Sequence, residues 1–193
     1  AVFSDPVVTT ETSADTSTFR PLCLKDEKLQ RIYDVGLKTL SDCMQDVFED
    51  GPKRYRRLWL GDLRLQALAD YASFDNTALV KRCLYLFAGM TTKEGIISAN
   101  VFVSPNNIPD DTFLFEYSLF FISVLYDLHQ AHPDIALVKE LYPTAKKQMD
   151  LSLQMFDKNG RLMPDENYPV FVDWSNEFNK DTAGQAEMIY VMK

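Results

Sequence analysis

The residues best equipped for chemistry stand together in one run, Asp50-Gly-Pro-Lys-Arg-Tyr-Arg-Arg-Leu-Trp-Leu-Gly-Asp62, with two carboxylates, four cations, a tyrosine and a tryptophan. Carboxylates accept hydrogen bonds and trade protons, an arginine fork donates to oxygens, and an indole offers a flat apolar face. Polar groups held on a loop between rigid helices are common in recognition sites. The same composition also suits a solvated, salt-bridged loop. Gly51-Pro52 reads as the stop of the preceding helix, because proline lacks a backbone N–H and restricts the residue before it. Gly61 permits a backbone angle or a close approach that a side chain would forbid. More acids lie downstream: Asp110 and Asp111 after a long irregular stretch, Glu116 just beyond them, and Asp173 beside Trp174.

The 193 residues suffice for one domain with a sizeable core, and 46% apolar with 25% charged residues is ordinary for a globular protein. A net charge of −8 argues against nucleic acid and against an anionic membrane surface as partners. Neutral sugars fit an acidic chain rich in aromatics. Cys23, Cys43 and Cys83 show no metal-ligand spacing, and Cys43 and Cys83 sit in apolar helical patterns as small hydrophobes. His129 and His132 could share a metal, but no third ligand stands near, so they read as helix-end polar residues. Asp157-Lys-Asn-Gly160 lacks the acidic spacing of a calcium loop. No glycine-rich phosphate loop, Cys-x-x-Cys or Gly-x-Ser-x-Gly elbow is present. The expectation is therefore no metal and no cofactor. No signal peptide is visible, and the chain begins inside a Ser/Thr-rich stretch, which leaves secretion open.

Helices must position these groups. Residues 1–23 read as one or two extended segments. From Asp26, the residues Leu29, Ile32, Tyr33, Gly36, Leu37, Leu40, Met44 and Val47 form a buried stripe that runs to the Gly51-Pro52 loop. A second helix is expected over about 62–73. A third spans about 77–88, capped by Asp75 or Asn76, with Gly89 as its stop. Residues 91–110 form an irregular stretch long enough to be ligand-facing. The fourth helix, about 111–130, has almost no polar face and reads as an inner helix. The fifth opens at Pro133-Asp134 and runs to about Phe156, kinked or split at Pro143. A short strand or hairpin is expected within 161–174, and a sixth helix from about Thr182 to Lys193.

The Asp50–Asp62 run resembles the Asp-Cys-Pro-x-Arg-x-Glu/Asp and Gly-Trp-x-Gly-Asp region of the bacterial α-L-rhamnosidase group of glycoside hydrolases. Val2-Phe-Ser-Asp5, Ser17-Thr-Phe19 and Lys25-Asp-Glu-Lys-Leu29 resemble that family's lead-in. Val170-Phe-Val-Asp-Trp174 and Ala183-Gly-Gln185 resemble its later elements. The resemblance implies an all-α fold: about half of an (α/α)6 toroid, residues 24–193, preceded by an extended β lead-in, residues 1–23, from another domain. Half a ring would expose its inner helices, the fourth included, so the remainder of the barrel or a second copy of the chain is the expected partner. The family also points to a periplasmic or extracellular setting.

The activity implied is inverting hydrolysis of a terminal sugar from a glycoside or polysaccharide. It needs two carboxyl groups roughly 6.5–9.5 Å apart, one donating a proton and one activating water. The resemblance assigns Asp50, Arg54, Trp59 and Asp62 to sugar binding, and Asp173-Trp174 looks like a second sugar contact. Capping for Asp62, a surface ion pair for Arg54 and a structural turn at Asp173-Trp174 stay open. Tyr55 stands where the family places its acidic general acid, and a phenol, with a pKa of about 10 against about 4.3 for glutamate, is a poor proton donor to a leaving group. The family's base would lie in the second half of the ring. Glu116, near the start of the most apolar helix, is a candidate replacement acid, because burial favours a neutral carboxyl. Asp110 and Asp111 are candidates too, with helix capping as their alternative. The competing function is a non-catalytic carbohydrate-binding protein that has lost its acid at Tyr55.

Overall fold

The computed structural model describes residues 4, 7, 11–17, 19, 21–163, 165–175 and 177–193. Most of the expected lead-in motif Val2 to Asp5, and Thr18 of the next one, lie outside the described residues. Among the described residues six helices form: α1 (Glu27–Cys43), α2 (Leu60–Tyr71), α3 (Thr77–Gly89), α4 (Phe115–Ala131), α5 (Ile135–Leu153) and α6 (Lys180–Val191). Three short strands, β1 (Leu58–Trp59), β2 (Asn100–Phe102) and β3 (Ile108–Pro109), pair antiparallel in the order β1-β2-β3. Leu58 lies opposite Val101, and Phe102 opposite Ile108. The stretch 91–110, expected to be irregular, therefore contains two strands, which hold it to the start of α2.

Capping residues define several starts. Asp26 accepts from the N–H of Lys28 and Leu29, Asn76 from Leu79 at 3.2 Å, and Asp134 from Leu137 at 3.0 Å. Asn76, not Asp75, is thus the cap of α3. The first helix ends at Cys43, well before Gly51-Pro52. Its free carbonyls are taken by the lead-in: Thr12 Oγ1 donates to Ser41 O at 2.6 Å, and Ser13 N donates to Met44 O at 2.8 Å. Met44, Val47 and Phe48 are fully buried in the turn that follows, so their apolar spacing continues without a helix. The supposed stripe is also only partly used, since its members Leu29 (55% exposed), Ile32 (68%) and Gly36 face outward.

The long apolar helix α4 starts at Phe115, four residues past Asp111, and its cap position is Leu114. It packs against α2, α3, α5 and α6, so it is more covered than expected; of its large apolar residues only Tyr126 is exposed. The main core joins Phe48, Leu63, Leu84, Phe87, Phe121 and Leu128. A second cluster joins Phe115, Leu119, Leu162, Val170 and Met188. There α6 comes so close that a Cβ on Gly184 would meet Val170 at 2.9 Å and Leu162 at 3.0 Å. Helix α5 runs through Pro143 as one element, and the carbonyl that loses its helical partner there belongs to Lys139, an exposed residue. It ends at Leu153, and residues 154–156 close three-residue turns. The expected strand over 161–174 reduces to isolated bridges, Phe156 with Leu162 and Asp165 with Tyr168.

Polar side chains finish the frame. Gln148, fully buried on α5, accepts from Ile97 N at 3.2 Å and donates to Gly95 O at 2.8 Å. His132 Nε2 lies 2.5 Å from Asp75 Oδ1, and His129 Nδ1 accepts from Asp134 N at 3.1 Å. Among the described residues no helix is long and apolar enough to cross a membrane.

Asp70 is buried, and among the described residues its carboxyl oxygens have no closer polar partner than the Asn76 backbone N–H; burial pushes its pKa up to about 6 against the lowering pull of that N–H. A folded pKa above the unfolded value of 3.8 stabilises the fold only while the group is neutral. The contribution is complete below the unfolded pKa and lost as pH rises through about 6. Asp70→Asn should therefore raise stability at pH 8 by on the order of 1–3 kcal/mol and change it little at pH 4, measured by urea unfolding at both pH values. A gain at pH 4 equal to that at pH 8 would refute the assignment.

Candidate functional site

The loop from Asp50 to Arg57 is closed by Asp50 itself. Its backbone N–H donates to Arg57 O at 2.9 Å, and its Oδ1 accepts from Arg57 N at 3.1 Å. Gly51 has φ +155°, and Arg54 N returns to Gly51 O at 3.0 Å. Arg54 Nε stands 3.9 Å from Asp50 Oδ2, and Arg56 Nε donates to the buried Glu49 at 3.1 Å. The Arg57 guanidinium lies over Phe102 at 4.0 Å and over Tyr55 at 5.1 Å. Much of the cation-rich run therefore folds its own loop.

Where the loop enters α2, Trp59 meets Tyr117 edge-on at 6.2 Å. Gly61 makes room for that tyrosine, since a Cβ there would sit 2.9 Å from the Tyr117 Cζ and Oη. Asp62 follows in the first turn of α2 and is not its cap; Trp59 holds the cap position without a side-chain bond. Burial raises the pKa of Asp62, and the charge of Asp50 adds to that, against the lowering pull of Arg54 and of its own backbone N–H.

These residues surround a cavity of about 330 Å³, within the range of small-ligand pockets. Asp50, Arg54, Tyr55, Trp59, Asp62 and Trp174 all line it, although Trp174 lies more than a hundred residues downstream. Thr112, Leu114, Tyr117 and Phe171 complete the wall. Those four were not foreseen. Tyr117 was hidden in the apolar pattern of α4, and Phe171 stood inside the Val170–Trp174 motif beside the two residues that were singled out. Phe171 meets Trp174 edge-on at 5.0 Å and Tyr117 at 6.4 Å, so one aromatic group forms the far wall. Trp174 is 85% exposed and stands at the rim.

The remaining candidates fall outside this cavity. Asp110 caps no helix. Burial works to raise its carboxyl, but hydrogen bonds from Asn100 at 2.7 Å and Thr112 at 2.9 Å, with the Arg57 charge, hold it below the ordinary value. It latches β2 to the loop, with Arg57 3.8 Å away. Asp111 is exposed and caps nothing. Asp173 is exposed, with its Oδ1 turned back to Trp174 N at 2.5 Å. Glu116 accepts from Phe171 N and Val172 N and lines a neighbouring cavity of about 460 Å³, which shares Asp62 and Tyr117 with the first. An apolar groove of about 340 Å³ between α4 and α5 has no carboxylate in its lining. Among the described residues no cluster of His, Cys, Asp or Glu could hold a metal ion.

Residues 15–193 match the model of the bacterial alpha-L-rhamnosidase 6 hairpin glycosidase domain. Among solved structures, a rhamnosidase from Klebsiella oxytoca with rhamnose bound is similar at 50% identity and a TM-score of 0.88, over 94% of this chain and 35% of that one. A GH78 family rhamnosidase of Bacillus sp. GL1 shares the fold at 22% identity and a TM-score of 0.76, over 87% of this chain and 17% of that one. The chain thus spans about a third or less of the length of either. No curated protein matches it.

Gly61→Ala tests the aromatic wall. The added methyl must displace the Tyr117 ring, which is held by Trp59, Phe120 and Phe171. Overpacking of this kind costs about 1–3 kcal/mol and exceeds the helix-propensity gain of up to about 1 kcal/mol. The expected outcome is a lower urea midpoint with altered tryptophan emission. An unchanged or higher midpoint would show that Tyr117 moves aside freely.

Proposed function

The chain belongs to the bacterial alpha-L-rhamnosidase six-hairpin glycosidase family, and from that premise we propose that the cavity between Asp50 and Trp174 receives the terminal sugar of a glycoside. The observation that carries this reading is the convergence of Asp50, Arg54, Trp59, Asp62 and Trp174 on one concavity. Carboxylates and a guanidinium there can bond hydroxyls, while Trp59 and Trp174 offer apolar faces to the ring and methyl group of a 6-deoxyhexose. The similar Klebsiella protein has rhamnose bound, which favours that sugar class.

In this reading residues 24–193 supply the N-terminal half of an (α/α)6 catalytic domain and residues 1–23 lead in from a β domain. The share of the relatives' length supports it, as do the exposed Tyr126, Tyr142, Ile189 and Tyr190, which the rest of the ring or a second copy would cover. Hydrolysis would be a single displacement with inversion. An acid protonates the glycosidic oxygen as the C–O bond breaks, and a base from the complementary half takes a proton from the water that attacks the anomeric carbon. Tyr55, 67% exposed at the rim, matches the family's acid by its place in the Asp50–Asp62 motif but carries a phenol. Asp62 is the cavity carboxyl whose surroundings favour the protonated form, so we assign it the donor role if turnover occurs. Tyr55 supports a second reading, a sugar-binding protein without turnover.

The test begins with L-rhamnose titrated into the chain and read by tryptophan emission, since Trp59 and Trp174 are its two tryptophans. A saturable response that Trp59→Ala weakens about tenfold or more is expected. No response to rhamnose or any other neutral monosaccharide would overturn the proposal. In the completed ring, an aryl rhamnoside separates the two functions. Hydrolysis that falls as pH rises through the raised Asp62 pKa, and is lost in Asp62→Asn, marks a hydrolase. Binding without turnover, with activity gained in Tyr55→Glu, marks the binding protein.

A further inference from the structure

We propose that Glu116 is a positioning residue, a strut that holds the segment 169–174 against the cavity in a backbone conformation the segment would not keep alone. The inference rests on reading that cavity as the sugar site. Glu116 is the second residue of α4 and only 4% exposed. Its Oε1 and Oε2 accept from Phe171 N at 3.0 and 3.1 Å, and Oε1 also accepts from Val172 N at 2.7 Å. Bonds from backbone N–H groups to a carboxylate are among the stronger ones. They converge on the place where the chain is strained: Val172 has φ +55°, a region that β-branched residues rarely enter.

What the strut holds is the aromatic wall. Phe171 carries Trp174 at 5.0 Å and leans on Tyr117 at 6.4 Å, so both cavity-facing rings beyond α4 depend on the direction of the chain at Phe171 and Val172. The other fixed end is Phe115 N donating to Pro169 O at 3.0 Å. Across Val172, Asp173 N returns to Phe171 O at 2.6 Å, a bond within the segment that fixes it to nothing else. Glu116 itself does not line the sugar cavity, and both its oxygens are engaged by backbone. This replaces the proton-donor role expected of it from sequence.

If the carboxylate offsets strain at Val172, glycine at that position should make it dispensable, because glycine adopts positive φ freely. Three variants of the full chain decide the matter: Glu116→Gln, Val172→Gly and the double variant. Each is read by L-rhamnose titration, Trp174 emission and limited proteolysis of the segment. Glu116→Gln should weaken rhamnose binding about tenfold, shift the emission to the red and open the segment to cleavage. Val172→Gly should bind within about threefold of wild type, and the double variant should recover to the same level.

Wild-type binding and protease resistance in Glu116→Gln would overturn the proposal, as would a double variant no better than Glu116→Gln. Should Glu116→Gln not fold, the double variant is compared with Val172→Gly alone: equality supports the strut, and a gap of tenfold or more overturns it. If the wild type binds no sugar, the sugar reading fails, while cleavage and emission still decide whether the strut exists.

Discussion

A helix with almost no polar face must be covered on every side, and α4 sets that requirement for the whole chain. Helices α2, α3, α5 and α6 each pack on it, and Phe115, Leu119, Phe121 and Leu128 are fully buried. Covering it this closely leaves little room. Glycine is needed at position 61, where α2 crosses Tyr117, and at position 184, where α6 meets Val170 and Leu162. Those two approaches flank the aromatic wall, so the packing that buries α4 also shapes the cavity. Among the described residues the buried Ser123 hydroxyl finds no partner, while the Ser118 hydroxyl lies beside the buried Tyr168 hydroxyl.

The cavity lies where α2 and α4 both begin. Neither helix has a side-chain cap, since Trp59 and Leu114 occupy the cap positions. Each has an acid in its first turn, where the helix end favours negative charge. The two acids meet different fates. Glu116 is consumed by the backbone of Phe171 and Val172. Asp62 faces the cavity beside Asp50, and there burial and like charge outweigh the helix end. Two carboxyl groups, each in the first turn of its helix, thus acquire distinct chemistry from their neighbours.

Much of this was legible in the residues. The Asp50–Asp62 run could be singled out because its types and spacing are local, and the family motifs placed Trp174 with it despite the distance along the chain. The six helices followed from periodicity and caps. Their ends did not, because tertiary bonds set them: Thr12 and Ser13 take the last carbonyls of α1, and pairing of Leu58 and Trp59 with Asn100 and Val101 decides where α2 starts. Asp110 looked like a site acid because a loop carboxylate is ambiguous until its partners are known. Asn100, Thr112 and Arg57 make it a latch. Tyr117 and Phe171 were missed since a one-dimensional pattern cannot separate a ring that fills a core from one that walls a cavity.

Gln148 shows how a single position can carry a demand that its surroundings disguise. Its amide serves the Ile97 N–H and the Gly95 carbonyl at once, in place of the neighbouring strand that loop would otherwise need. Glutamate could only accept, lysine could only donate, and asparagine is a methylene shorter. Among natural variants of this chain, the helical residue facing that loop should therefore be nearly invariant, while its solvent-facing helical neighbours drift freely.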